Sequence, residues 1–228
     1  MRLDKFLAHA AGLSRALAKQ VIRQQRVIVN NTIARSSSLI INDGDQVIFD
    51  EAEINLPGER YIMLHKPADY VCTRDDSHHA DIFSLIEHSH DLHAAGRLDA
   101  DTTGLVLLTN DGKWSHRVTA PRHHCDKTYL IALSQPLILD QAKQLEQGVM
   151  LKGEDKPTLP ATIEKLDDMQ IRLTIHEGKY HQVKRMLAAV GNKVIALHRE
   201  RIGNITLDNN LAAGAWRELT PEEHQSFK

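Results

Sequence analysis

The apolar runs of this chain are strand-length or short-helix-length, and the irregular order in which they follow one another restricts the fold more than any other feature. Residues 61–64 and 104–109 read as buried strands and 81–87 as a short helix, and further strands are predicted at 128–133, 161–166 and 170–175. Residues 139–147 follow a helical pattern, 180–190 follow a stronger one, and 193–198 return to strand. Hairpins are mixed with helices and there is no regular alternation of strand and helix. That order predicts an α+β fold whose mixed, mainly antiparallel sheet is flanked by helices, and it disfavours a doubly wound parallel sheet. The longest apolar stretches, 105–108 and 186–190, fall far short of the roughly 20 residues that cross a bilayer, so no membrane association is expected. With 42% hydrophobic and 25% charged residues, the 228-residue chain has the composition of a folded globular protein.

A formal charge of −2 hides a segregation. Residues 1–40 carry seven basic side chains against the single acid Asp4, a balance of +6, which leaves 21 basic against 29 acidic groups in the other 188 residues. A basic head joined to an acidic body points to a polyanionic partner. In the head, Leu3, Phe6, Leu7 and Ala10 recur at helical spacing. After Gly12 a second helix begins, with Ser14 as its N-cap, Leu17, Ala18, Val21 and Ile22 on one face, and Arg15, Lys19, Arg23 and Arg26 largely on the other. Val27-Ile28-Val29, a turn at Asn30-Asn31 and a strand at 46–49 complete a unit of residues 1–55; the acidic segment 50–59, with Pro57-Gly58, reads as a linker to a second domain at 60–228. A second basic island, Lys179, Lys184, Arg185, Lys193, Arg199 and Arg201, interrupts the acidic body. Two separate positive surfaces suit a phosphate backbone better than a small anion. Cys72 and Cys125 are too few for a disulfide framework, and the N-terminus has no signal-peptide pattern, so a cytoplasmic location is expected.

The most informative run extends from Gly96 to Gly112: Gly-Arg-Leu-Asp, Ala-Asp, Thr-Thr, Gly-Leu, an apolar strand, then Thr-Asn-Asp-Gly, whose Asp111-Gly112 reads as a turn. A polar loop with two carboxylates, Asp99 and Asp101, is carried directly on a buried strand, which holds it rigidly at an edge. On composition alone such a loop does no more than satisfy backbone groups.

At this run the sequence resembles the pseudouridine synthases. Two other blocks agree: Lys127-Thr128-Tyr129 opening a strand, and Glu177 to Met186 opening a helix. The head is similar to the small RNA-binding domain shared with ribosomal protein S four. Together the resemblance spans nearly the whole chain. The strings Ala94-Ala95-Gly96, 121–125 and 197–203 narrow it to the branch that acts on small-subunit (16S) ribosomal RNA, free or within a partly assembled 30S particle. Lys179 stands where the family has arginine, which keeps the charge and gives up bidentate phosphate geometry.

The resemblance implies an isomerase, acting as a monomer without cofactor or metal, with Asp99 as the catalytic carboxylate at the ribose anomeric carbon. One carboxylate suffices, since isomerisation consumes no water and expels no alcohol. It implies that Tyr129 stacks on the target base and helps remove its C5 proton, and that Lys184 partners the carboxylate. Arg185 competes for that place, since neighbouring helical residues point about 100° apart. Arg97 is expected beside the flipped nucleotide, and Arg15, Lys19, Arg23, Arg26, Lys179 and Arg185 on RNA. His123-His124-Cys125 with His116 lack the paired spacing of a zinc site, so an RNA-facing loop is expected there. Two other readings remain open: a non-catalytic RNA-binding assembly factor of the same fold, and a nucleosidase.

Overall fold

The computed structural model describes residues 1–120 and 124–227. Contacts divide the chain into two units, Met1–Glu59 with His88–Asp91, and Arg60–Glu87 with Leu92–Lys228. In the first, α1 (Leu3–Ala10) buries Leu3, Phe6 and Leu7, and α2 (Arg15–Arg23) buries Ala18, Val21 and Ile22. The Ser14 hydroxyl caps α2 by accepting from the Leu17 amide at 3.1 Å. Leu17 itself sits at the margin of the apolar stripe and stays 41% exposed, in contrast to the face assigned from periodicity.

Four short strands follow, β1 (Val27–Val29), β2 (Thr32–Ile33), β3 (Val47–Phe49) and β4 (Ala52–Glu53), in the antiparallel order β2-β1-β3-β4. The expected turn is a two-residue hairpin loop: Asn30 and Asn31 both have positive φ, the backbone that matches strand twist. Asp50 and Glu51 repeat that geometry. The expected linker at 50–59 therefore begins as a hairpin, because Asp50 tolerates the left-handed conformation and its carboxylate receives Arg26 Nε at 2.7 Å.

The second unit contains β5 (Tyr61–Lys66), β6 (Tyr70–Val71), β7 (Ala80–Asp81), a 3₁₀ turn (Ile82–Leu85), β8 (His93–Ala94), β9 (Thr103–Thr109), α3 (Gly112–Thr119), β10 (Lys127–Leu133), α4 (Leu139–Gln147), β11 (Thr162–Lys165), β12 (Gln170–Ile175), α5 (Gln182–Ala189), β13 (Val194–Ile202), β14 (Ile205–Thr206), β15 (Trp216–Glu218) and α6 (Pro221–Gln225). Its main sheet runs β11-β12-β10-β13-β9-β5-β15, with β8 and β14 paired at the side. Among the described residues its neighbours are antiparallel except β13 and β9, which run parallel. The α+β expectation therefore holds. The continuous apolar runs of β5 and β9 arise because both faces of these strands are covered. Ile62, Leu64, Val106 and Leu108 enter one core with Met186 and Leu187 of α5, while Met63, Leu105 and Leu107 enter another with Trp114 and Val118 of α3. No helix among the described residues is long and apolar enough to cross a membrane.

Three differences from the predicted elements have local causes. Asp111-Gly112, which reads as a turn, is a helix start: the Asp111 carboxylate accepts from the Lys113 amide at 2.8 Å, and α3 has only Trp114 and Val118 to betray it. Helix α5 begins two residues later than its pattern because His181 adopts the left-handed conformation. Strand β13 continues to Ile202, its apolar period masked by Arg199 and Arg201.

Candidate active site

The loop that feeds β9 carries Asp99, and two buried cations hold its backbone. Lys66, at the end of β5 and fully buried, donates from Nζ to the carbonyls of Pro67 (2.9 Å), Ala100 (3.1 Å) and Thr102 (2.7 Å). Burial pushes its pKa down. Arg199, 1% exposed in β13, donates to Leu105 O at 2.8 Å and Arg97 O at 3.4 Å. The loop is thus tied to the strands on either side of β9. Neither cation was among the expected site residues, and Arg199 was assigned to a phosphate-facing surface. Its burial corrects that. Arg201 likewise donates to Thr128 Oγ1 and to Gly203 O, so the expected second basic surface is partly an internal network. Lys66→Met keeps the volume and removes all three bonds. It should lower unfolding free energy by about 2–4 kcal/mol in a denaturant titration, since charged donors to buried carbonyls are lost.

Helix α5 faces this loop. Its buried residues Val183, Met186 and Leu187 fix the phase that brings Lys184 to the carboxylates. Lys184 Nζ lies 2.9 Å from Asp99 Oδ2 and 2.6 Å from Asp101 Oδ1. Burial pulls the Lys184 ammonium down, but the bonds to Asp101 and Asp99 outweigh it and its pKa stands above the ordinary lysine value. The Lys184 hydrogen bond holds the Asp101 carboxyl below the usual range. Arg185 points elsewhere, to Glu154 Oε1 (3.1 Å), Tyr180 O (3.0 Å) and Lys152 O (2.7 Å). Of the two side chains left open by helix periodicity, Lys184 is the one that reaches Asp99.

The two carboxylates differ in setting. The Asp99 side chain is 29% exposed and lines a cleft of about 470 Å³, whereas Asp101 is 72% exposed and is not part of the wall. His181 Nε2 lies 3.3 Å from Asp99 Oδ1, so each Asp99 oxygen faces the nitrogen of a different side chain. The expected site set did not include His181, although it lies inside the motif that located Lys184. Tyr129, 7% exposed in β10, and the exposed Arg97 also line the cleft. A cationic partner, a partly buried carboxylate and an aromatic wall thus share one cleft, which can set an anionic oxygen and an aromatic face against the same ligand.

The other candidates are more scattered. Lys179 Nζ pairs with Glu154 at 3.1 Å, so Glu154 holds both Lys179 and Arg185. In the head, Arg15 pairs with the fully buried Asp4 at 3.0 Å and Arg26 with Asp50, while Lys19 and Arg23 stand exposed. Of the expected RNA-facing loop, His123 lies outside the described residues, whereas His124 is exposed and Cys125 lines the cleft. Among the described residues, no cluster of three His, Cys, Asp or Glu is placed to hold a metal ion.

Comparison with known proteins adds to the geometry. Residues 60–189 match the model of the RNA pseudouridylate synthase family, and residues 1–47 match that of the S4 domain. The chain is 53% identical over 226 residues to ribosomal small subunit pseudouridine synthase A of Salmonella typhimurium, covering 98% of each chain. It is 50% identical over 229 residues to the protein of that name from Vibrio cholerae, covering 100% of this chain and 99% of the other. A crystal structure of a pseudouridylate synthase superposes with a TM-score of 0.74 at 46% identity, covering the whole of both chains.

Proposed function

From the premise that this chain belongs to the RNA pseudouridylate synthase family, with an S4 domain at its N-terminus, we propose that it converts a defined uridine of small-subunit (16S) ribosomal RNA to pseudouridine, with Asp99 acting at the anomeric carbon. The observation that carries the residue assignment is the Lys184 ion pair with Asp99 inside a cleft walled by Tyr129. The uridine is extruded from its stack, because the bond between N1 and C1′ is unreachable inside a helix. Asp99 attacks C1′ or stabilises its cationic form as N1 leaves with the bonding pair, the base turns, and C5 bonds to C1′, displacing the Asp99 carboxylate where an ester has formed. Loss of the C5 proton, helped by Tyr129 at the ring face, restores the conjugated ring while N1 takes up a proton, so the product is an isomer of the uridine. Lys184 keeps an opposite charge beside Asp99 throughout and positions the oxygen that faces the sugar.

Arg97, exposed at the rim, meets the displaced strand. Residues 1–55 serve as a separate RNA-binding domain, joined to a catalytic domain at 60–228, and Lys19 and Arg23 give it an open positive face, with Arg15 and Arg26 beside them partly neutralised. Lys179 and Arg185 contact phosphate while Glu154 holds both side chains in place. The enzyme works as a cytoplasmic monomer without cofactor, on free RNA or on a partly assembled 30S particle.

Lys184→Met should reduce turnover by about 10²-fold or more, while Lys193→Met, an equal loss of charge at an exposed position, should stay within a few-fold of wild type. Equal losses would reduce the basic island to a phosphate patch. The cellular experiment maps carbodiimide-reactive pseudouridines in ribosomal RNA after deletion of the gene. One small-subunit position should lose its signal and regain it with the wild-type gene but not with Asp99→Asn. A loss confined to large-subunit RNA, or none at all, would overturn the assignment.

A further inference from the structure

Tyr180 is the most exposed large hydrophobic side chain among the described residues, at 75%, although it lines the cleft that contains Asp99. One face of its ring is covered: it stacks on the His181 imidazole with centroids 3.7 Å apart and planes inclined by 22°. His181 reaches this position through a left-handed backbone, φ 46° and ψ 36°, which is unfavourable for a residue with a Cβ and persists where surroundings enforce it. The surroundings here are extensive. Buried Gln182 accepts from the Lys179 amide at 2.8 Å and donates to Glu177 at 2.9 Å, and Arg185 donates to Tyr180 O at 3.0 Å while anchored on Glu154. A rigid turn therefore presents a two-ring stack whose inner member is 3.3 Å from Asp99 and whose outer face is open.

We propose that the Tyr180–His181 stack is a subsite for an unpaired RNA base flanking the target uridine. This rests on the activity proposed above. The reacting nucleotide must place C1′ at Asp99, within reach of His181, so a base on the outer Tyr180 face lies one stacked layer further out and belongs to a neighbour. Stacking on an aromatic face accepts any base, and the cost of ordering the platform is already met by the fold. The adjacent cations Lys179, Lys184 and Arg185 favour a nucleotide over an uncharged planar ligand.

The test measures filter-binding affinity and single-turnover tritium release on one small-subunit RNA transcript. Tyr180→Ala should weaken binding by about five-fold or more and raise KM in parallel, so that the loss in kcat/KM exceeds any loss in kcat. Tyr180→Phe, which keeps the ring, should bind like wild type. Abasic nucleotides are then placed singly on either side of the modified uridine. At one position the abasic RNA should lose the same factor with wild type and nothing further with Tyr180→Ala. Unchanged affinity in Tyr180→Ala, or the absence of any coupled position, overturns the subsite. Absence of wild-type turnover would instead remove the activity assignment, and weaker RNA binding by Tyr180→Ala but not by Tyr180→Phe would still decide whether the ring stacks on a base.

Discussion

Asp99→Asn is expected to fold, bind ribosomal RNA at least as tightly as wild type, and form pseudouridine more than about 10³-fold more slowly, because it keeps the size of the side chain but loses the charge and the nucleophilic oxygen. Asp101→Asn is expected to retain substantial turnover. The two substitutions remove the same charge beside the same lysine, yet only Asp99 forms part of the cleft wall. Removing a carboxylate from a site lined by Arg97 and Lys184 lessens repulsion of phosphate, so lost activity in Asp99→Asn cannot be attributed to lost affinity. Tritium release from 5-tritiated uridine, measured beside filter binding of the same transcript, separates the two quantities. Near-normal turnover in Asp99→Asn would move the assignment to the other carboxylate.

A large effect on stability is expected at Gly104→Ala. Gly104 has φ +107° at the point where β9 pairs in parallel with β13, and a Cβ there would sit 2.3 Å from Arg199 O and 2.6 Å from Arg199 N. Both obstacles are backbone atoms, so no rotamer change relieves the clash and the two strands must part. The cost should be about 3 kcal/mol or more in a denaturant titration. Gly153→Ala is the control: φ is +83°, but no atom lies within 4 Å of the added carbon, so only the backbone strain of about 1 kcal/mol remains. Displacing β13 would also draw the Arg199 guanidinium away from Leu105 O and Arg97 O, so any folded Gly104→Ala should lose activity with stability.

These two residues lie five positions apart and differ in how much the sequence discloses. The loop-to-strand run exposes Asp99 because its apolar strand and polar approach are local. The same holds for α5, whose buried Val183, Met186 and Leu187 set the phase of Lys184. The parallel contact of β9 with β13 joins positions 95 residues apart, His198 to Thr103 and Arg199 to Gly104, and no local pattern encodes it. Lys66 and Arg199 were hidden for a related reason. A charged side chain reads as surface until the carbonyls that satisfy it are brought together, and those come from other segments. Trp114 and Val118 give too short a period to announce α3 without its cap. Arg185 and Lys184, adjacent in sequence, separate only when the core fixes the helix.

The most direct test follows one reaction to its products: the wild-type enzyme is incubated with 5-tritiated small-subunit ribosomal RNA, and released tritium, RNA mass and carbodiimide-stable adducts are measured together. Isomerisation predicts one tritium released per adduct, a single modified uridine, unchanged backbone mass apart from hydrogen exchange, and no free uracil. Release of uracil with an abasic site, or RNA recovered without any adduct, would contradict it.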